Sequence, residues 1–269
     1  MDFTLVFDRP MQALFAFYYA LPRLLAMFAM IPVLSRQALP GMLRMGVALG
    51  IGVLVVPTLM ASPDAPERGT LLSLMLIGKE VVVGTMLGFI MAVPLWAFDA
   101  MGSFVDNQRG ASIAQTINPL LGSDSSPLGE LFSQAAVTYL VASGGLLLLL
   151  DAAYRSYELW PVFEMWPRLN AQAPQILLGQ LDRLTLLAVL LGAPVLVSML
   201  LAELGLALVS RFTPQLQVFF LAMPIKSGLA MFVFAVYAVT LFDQGGILIN
   251  DMAGALAVFE SMLERGATK

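Results

Sequence analysis

The chain has 269 residues, of which 59% are hydrophobic and only 12% are charged. Soluble domains carry about 25% charged residues, so this composition excludes an ordinary soluble enzyme and a disordered chain. The formal net charge of −4 leaves no basic surface to attract nucleic acid. Cysteine and histidine are both absent, which removes disulfides, thiolate nucleophiles and the commonest general base. The composition predicts an integral membrane protein that is not an enzyme and needs no cofactor or metal.

Six apolar runs are long enough to cross a bilayer as helices, which takes about 20 residues. No linker or change of composition separates them, so we predict an all-α, multi-helix membrane-associated fold of kinked hairpins, in a single domain over residues 1–269. In chain order the runs cover residues 11–34, 40–61, 71–101, 128–150, 184–209 and 218–242.

Prolines and glycines inside these runs predict how the helices pack. A proline in a helix frees a carbonyl, which needs a partner in lipid, so many prolines indicate helices that are buried in protein. Glycines four residues apart allow two helices to approach closely, and the chain has such pairs at Gly46/Gly50 and Gly84/Gly88. The prolines in or at the ends of the runs are Pro22, Pro32, Pro57, Pro94, Pro194 and Pro224.

Ionisable residues in the third, fifth and sixth runs are candidate functional or structural residues. Lys79 and Glu80 lie in the third, with Asp99 at its end, Glu203 lies in the fifth and Lys226 in the sixth. Such residues form either a proton or ion pathway, or interhelical ion pairs that fix helix register, or a lysine that reaches the interface. Neighbouring residues on a helix point in different directions, so Lys79 and Glu80 favour the structural alternatives.

The segment at residues 102–127 is polar and rich in turn-forming residues. Asn118-Pro119 favours a turn and Gly110 permits a sharp bend. Such a segment is tolerated at membrane depth only where protein buries it or where it lines an aqueous cavity; otherwise it is a solvated loop. Its candidate functional residues are Asp106, Asn107, Gln108, Arg109, Gly110, Asn118 and Pro119.

Two further stretches lie between or after the long runs. Residues 151–180 contain aromatic rings of the kind that sit at the headgroup level: Tyr154, Tyr157, Trp160, Phe163 and Trp166. After residue 242, Asp243-Gln-Gly-Gly is predicted to break the helix. An amphipathic helix then follows at about 247–264, and it packs on a partner, on the membrane surface or on its own bundle. Its apolar stripe is Leu248, Met252, Ala255, Phe259 and Met262.

A short polar turn connects the fifth and sixth runs, which are therefore predicted to form a hairpin. Arg211 and Gln215 lie at its tip, and Lys226 follows about three helical turns later. The turn is either a plain interfacial turn or a contact with a partner.

The two polar segments resemble the T subunit of the type III secretion export apparatus (the SctT/FliR family), and more its injectisome branch than its flagellar one. The resemblance rests on DNQRGASIAQ, NP, SSPLGELF and RFTPQLQVFFLAMPIKSGLA, and it extends to the order and spacing of the runs. It implies a multi-pass protein of the bacterial inner membrane that assembles with R- and S-type subunits and other export apparatus membrane proteins. Unfolded secreted proteins would pass through the assembled pore, and the 102–127 segment would help to plug it.

One alternative function remains open from the residues themselves. Lys79, Glu80, Asp99 and Glu203 are compatible with a proton-coupled secondary transporter that acts alone. Uptake by the purified chain in liposomes, abolished by Glu203→Gln, would favour that alternative over an export gate.

Overall fold

A computed structural model describes residues 10–34, 41–60, 70–111, 126–165, 170–213 and 218–263. Within these ranges the chain is helical with no extended strand, which confirms the predicted all-α fold. Two 3₁₀ turns, at Pro32–Leu34 and Asp251–Gly254, complete the regular structure. The helices are α1 (Pro10–Met30), α2 (Gly41–Gly52), α3 (Val56–Met60), α4 (Thr70–Arg109), α5 (Pro127–Ala142), α6 (Gly145–Leu159), α7 (Ala173–Phe212), α8 (Val218–Asn250) and α9 (Ala255–Met262).

The helices form two compact units that alternate along the chain. Unit 1 contains Met1–Val93, Gly144–Gln180 and Asn250–Lys269, and unit 2 contains Pro94–Ser143 and Leu181–Ile249. The chain passes from one unit to the other four times, and three of these boundaries lie inside the helices α4, α7 and α8. No linker therefore separates the units, although the assignment of residues 1–269 to one domain stays a prediction.

Two of the six predicted runs are not single straight helices. The run at 40–61 is divided into α2 and α3, and the run at 128–150 is bent by 80° between α5 and α6. Gly144 makes this second break possible because its φ of +79° lies in the left-handed region that favours glycine. By length and composition, the described residues offer four membrane-spanning helices, or five if the bent pair is one span.

The predicted helix break at Asp243-Gln-Gly-Gly is wrong, because α8 continues to Asn250. The two glycines are needed for packing within unit 2. A Cβ atom on Gly245 would lie 2.8 Å from a ring carbon of Phe98, and one on Gly246 would lie 2.6 Å from the hydroxyl of Tyr139. The aromatic contacts outweigh a glycine's weak helix propensity, which costs only about 1 kcal/mol.

The C-terminal stripe packs on the chain's own helices. All five of its residues are buried, α9 contacts α6, and the N–H of Asn170 donates to the carbonyl of Met262 at 2.9 Å. Packing on its own bundle, one of the three predicted alternatives, is therefore what the described residues show. The helix itself is shorter than predicted, because residues 247–250 belong to α8 and a 3₁₀ turn precedes α9.

The aromatic segment after residue 150 also differs from its prediction. Its residues up to Leu159 belong to α6 and those from Ala173 to α7, and Tyr157 and Trp160 are buried inside unit 1 instead of standing at an exposed interface. The hydroxyl of Tyr157 donates to the carbonyl of Ala20 in α1 at 2.8 Å. Trp166 lies outside the described residues.

Candidate gate and buried polar networks

Arg23 of α1 and Glu80 of α4 form a buried bidentate ion pair in unit 1. Arg23 Nε and Nη2 donate to the two carboxylate oxygens at 2.7 and 2.9 Å, and neither side chain exposes more than 1% of its surface. The guanidinium also donates to the carbonyls of Ser156 and Trp160, at 2.7 and 2.8 Å. Its carbon lies 4.2 Å from the centre of the Tyr157 ring. The pair therefore fastens α1 and α4 to α6.

Lys79 extends the same network to the segment after α6. Its ammonium group lies 2.7 Å from Glu80 Oε1 and donates to the carbonyls of Pro161, Val162 and Glu164 at 2.9, 2.7 and 3.1 Å. Adjacent residues of a helix leave it in different directions, but the flexible side chain of Lys79 brings its ammonium group back to Glu80.

Sequence reasoning missed Arg23 as part of this network. The signal was present, since Arg23 is a cation inside an apolar run and needs a buried anion. Its partner lies 57 residues away, so no local spacing identifies it.

Asp106 joins the end of α4 to the start of α5 in unit 2. Its Oδ1 accepts from Arg109 Nε at 2.7 Å, and its Oδ2 accepts from the Ser126 hydroxyl at 2.5 Å and from the Leu128 N–H at 2.9 Å. Ser126 is the N-cap of α5, where its hydroxyl accepts from the Gly129 N–H at 2.9 Å. We call these contacts of Asp106, Arg109, Ser126 and Leu128 the carboxylate clasp.

The first part of the polar segment is helix, which corrects its interpretation as turn-rich throughout. Residues 102–109 form the last two turns of α4. The helix ends at Gly110, whose φ of +83° provides the predicted bend, and whose N–H donates to the carbonyl of Asn107 at 3.2 Å. Asn118 and Pro119 lie outside the described residues.

Two glycines bring α4 and α5 into backbone contact beside the clasp. A Cβ atom on Gly102 would lie 2.5 Å from the Gly129 nitrogen, and one on Gly129 would lie 2.6 Å from Asp99 Oδ1. A larger residue at position 102 would push the helices apart, whereas one at position 129 would displace the side chains of Asp99 and Ser103. The clasp therefore forms at a junction that only glycine permits.

Residues of both polar sequence motifs, the one that contains Gln108 and the one that contains Lys226, line one cavity in unit 2. Its volume is about 460 Å³, and its lining combines the end of α4 with the facing sides of α7 and α8. Lys226 of α8 forms an ion pair with Glu203 of α7 at 3.2 Å, and the amide nitrogen of Gln108 lies 3.5 Å from the same carboxylate oxygen. The residues that carry polar groups into the lining are Asn107, Gln108, Arg109, Glu203, Ser210 and Lys226.

The remaining predicted residues do not line this cavity. Arg211 is exposed at the end of α7, Gln215 lies outside the described residues, and Lys79 and Glu80 belong to the network of unit 1. Glu80 and Glu203 each bind a cation, so two of the three carboxylates of the transporter alternative are held in ion pairs. The described part of the chain also contains no cluster of acidic side chains that could hold a metal ion.

Comparison with known proteins gives one family and full-length relatives. A family model described as "Bacterial export proteins, family 1" matches residues 14–252. The chain is 40% identical to the "Yop proteins translocation protein T" of Yersinia pestis over 97% of this chain and 100% of that protein. It is 30% identical to the "Surface presentation of antigens protein SpaR" of Salmonella typhimurium over 91% and 90% of the two chains. Identity to the "Flagellar biosynthetic protein FliR" of Bacillus subtilis is 29%, over 90% and 95%.

Proposed function

Because this chain belongs to the bacterial export proteins of family 1, we propose that it is a structural and gating subunit of a type III secretion export gate. The injectisome-type relatives reach 40% identity over nearly the whole chain, against 29% for the flagellar protein. This agrees with the injectisome side of the resemblance found in the motifs. The chain is a multi-pass membrane protein of the secretion apparatus.

The observation that carries the gating part is the junction of α4 and α5. The helix α4 ends at Arg109 and α5 begins at Pro127, and the carboxylate clasp ties these two helix ends together. The residues between the two ends are the ones that the family resemblance assigns to the plug. We propose residues 102–127 as the gate region, with α4 up to Gly110 as its rigid base and the following residues as the plug.

The proposed partners are R- and S-type subunits and other membrane proteins of the apparatus, in the bacterial inner membrane. Large apolar side chains project from α7 and α8 without cover from the rest of the chain. Such surface needs lipid or another protein against it. Unfolded secreted proteins would pass through the assembled pore, in which this chain supplies walls and a plug and carries out no chemical step.

A deletion tests the plug directly. Removing residues 111–118 from the assembled complex is expected to raise its ion conductance in planar bilayers, because the pore loses the material that closes it. A matched variant replaces the same eight positions with glycine and serine. It keeps the distance between α4 and α5, so it separates loss of the plug from strain at the helix ends.

Both variants should co-purify with the other subunits as the unchanged chain does. A complex that is assembled and still closed to ions in both variants would contradict the plug.

A further inference from the structure

Lys226 is a buried cation whose hydrogen-bonding capacity is largely unused among the described residues. Its ammonium group carries three N–H donors, and its side chain is only 10% exposed. The acceptor that the described part of the chain offers it is Glu203 Oε2, at 3.2 Å. Buried donors in folded proteins are almost always satisfied. Lys226 can therefore bind a ligand that supplies further acceptor oxygen atoms.

Lys79 is a useful contrast, because it is a buried lysine whose donors are all engaged. Its ammonium group lies 2.7 Å from Glu80 Oε1 and donates to three backbone carbonyls at 2.7 to 3.1 Å. Its role is therefore structural. Lys226 instead lines the cavity of about 460 Å³ in unit 2, into which a ligand can bring the missing acceptors.

Arg109 places a second cation in the same lining. Its Nε and Nη2 both bind Asp106 Oδ1 at 2.7 Å, and Asp106 itself is buried outside the lining. Within the described residues no partner binds Nη1, so its N–H donors can serve a ligand in the cavity. A guanidinium group suits the paired oxygen atoms of a phosphate.

The charge of the lining indicates an anion as the ligand. Its charged side chains are Arg109, Lys226 and Glu203, which give one net positive charge, and its other polar side chains are neutral. The chain as a whole has a formal net charge of −4, so the lining is opposite in sign to the rest of the molecule. An anion with a single charge matches it, because Asp106 behind Arg109 opposes a higher charge.

Exposed apolar side chains flank this polar cavity on both long helices of its wall. Leu208 and Phe212 lie on the same turns of α7 as the lining residues, and Leu221 and Ile225 on the same turns of α8. A small free anion gains nothing from such surface. A phospholipid fills the cavity with its head group and covers the helices with its acyl chains, and basic pockets between membrane helices bind lipid head groups in this way.

We propose that the cavity of unit 2 binds the phosphodiester group of an anionic phospholipid. Lys226 and Arg109 donate to the phosphate oxygen atoms, and Gln108 and Ser210 donate to the rest of the head group. The site goes beyond the proposed export function, since it requires only a membrane around the chain.

Photo-crosslinking to the purified complex in mild detergent tests where the lipid binds. The probe is phosphatidylglycerol with a photo-reactive group in its acyl chain, and titration of this probe gives its Kd. Crosslinks in this chain should fall on peptides that contain Phe212 or Leu221. Phosphatidylcholine with the same reactive group has no net charge, and its choline cation is repelled by Lys226 and Arg109. It should bind at least about tenfold more weakly, and equal binding of the two lipids would overturn the proposal.

Inorganic phosphate distinguishes a lipid from a free anion as the source of the phosphate group. Calorimetry with inorganic phosphate alone should show binding far weaker than that of phosphatidylglycerol, because the free anion does not cover the apolar surface beside the cavity. Inorganic phosphate that binds as tightly as the lipid would overturn the assignment to a phospholipid.

Two substitutions in the ion pair separate lipid binding from helix packing, because they should act in opposite directions. Lys226→Gln should raise the Kd for phosphatidylglycerol at least about tenfold, which corresponds to about 1.4 kcal/mol, since a hydrogen bond to a charged group contributes at least that much. Glu203→Gln keeps Lys226, removes a carboxylate that repels the phosphate and should lower the Kd. Arg211→Gln is the matched control, because it removes an exposed cation of α7 that does not line the cavity.

The control should leave the Kd unchanged. A purely structural ion pair predicts that Lys226→Gln and Glu203→Gln weaken lipid binding alike, and that result would overturn the proposal. A tenfold loss in Arg211→Gln would also overturn it, because any basic residue would then attract the lipid. If Lys226→Gln fails to assemble, Glu203→Gln decides the question: a Kd that is unchanged or higher would contradict the site.

Discussion

Arg23, Lys79 and Glu80 place two positive charges and one negative charge inside unit 1. One carboxylate cannot balance both cations, and the remaining N–H groups donate to backbone carbonyls of residues 156–164. These carbonyls lie where α6 ends and the chain becomes irregular, and the carbonyl of Ser156 also accepts from the N–H of Trp160 at 3.0 Å. The network therefore stabilises a bend of the backbone as well as a pair of helices.

Glu80 should be far more sensitive to neutralisation than an exposed carboxylate. Glu80→Gln leaves two buried cations without an anion, and breaking such a pair costs about 3–5 kcal/mol. Asp151→Asn is the matched control, since its partner Arg155 is four residues away and the two side chains are 55% and 60% exposed. Such a pair is worth about 0.3–0.5 kcal/mol.

Denaturant unfolding of the assembled complex that contains each variant, in mild detergent, measures both changes. Equal loss of stability in Glu80→Gln and Asp151→Asn would show that the buried network does not hold unit 1 together.

At the scale of the helices, the two glycine pairs that were predicted to allow close helix packing differ in what surrounds them. A Cβ atom on Gly84 or Gly88 would overlap the carbonyl oxygens of Arg23 or Met27 in α1, whereas one on Gly46 or Gly50 would meet none of the described residues within 4 Å. The pair in α4 therefore lets α1 and α4 pack backbone to backbone. The same four-residue spacing in α2 has no such role among the residues that the structure describes.

Alanine substitutions separate these two glycine pairs. Gly84→Ala should destabilise the assembled complex that contains the chain, because the added methyl group forces α1 away and strains the Arg23–Glu80 pair. Gly46→Ala should leave stability unchanged or raise it by about 1 kcal/mol, the usual gain in helix propensity. Thermal unfolding in detergent compares the two variants. A Gly84→Ala chain as stable as the Gly46→Ala chain would rule out the close α1–α4 contact.

Sequence patterns predicted helices and buried stripes well and predicted their partners poorly. The spacing of Leu248, Met252 and Phe259 identified one buried face, because a periodic stripe is a local property. The continuation of α8 through Gly245 depends on Phe98, which is far away in the sequence. The clasp shows the same limit: DNQRG and SSPLGE were recognised as motifs, but that Asp106 binds Ser126 follows only from the fold.

For the whole molecule, helix length is the decisive quantity. The helices α4 and α7 have 40 residues each, and at 1.5 Å per residue each rises about 60 Å. The hydrocarbon core of a bilayer is only about 30 Å thick. Each helix is therefore about twice as long as a perpendicular crossing of the hydrocarbon core requires. Both helices are nevertheless apolar for most of their length. Apolar helix outside lipid needs protein around it, which favours neighbouring subunits over a chain that works alone.

The exposed apolar side chains agree with this conclusion. They lie along α7 and α8. Among them are Leu190, Val197, Leu201 and Leu208 of α7 and Phe232, Val236 and Val239 of α8. A single chain in lipid could cover only the part of this surface that lies within the bilayer. We therefore expect the protein to be stable only as part of a larger assembly.

The mass of the complex that co-purifies with this chain under mild detergent tests the account most directly. The chain is expected to elute with R- and S-type subunits in one assembly much heavier than its own 29.0 kDa, and that assembly should be closed to ions. A stable lone monomer, above all one that takes up a solute in liposomes by itself, would contradict the export-gate account.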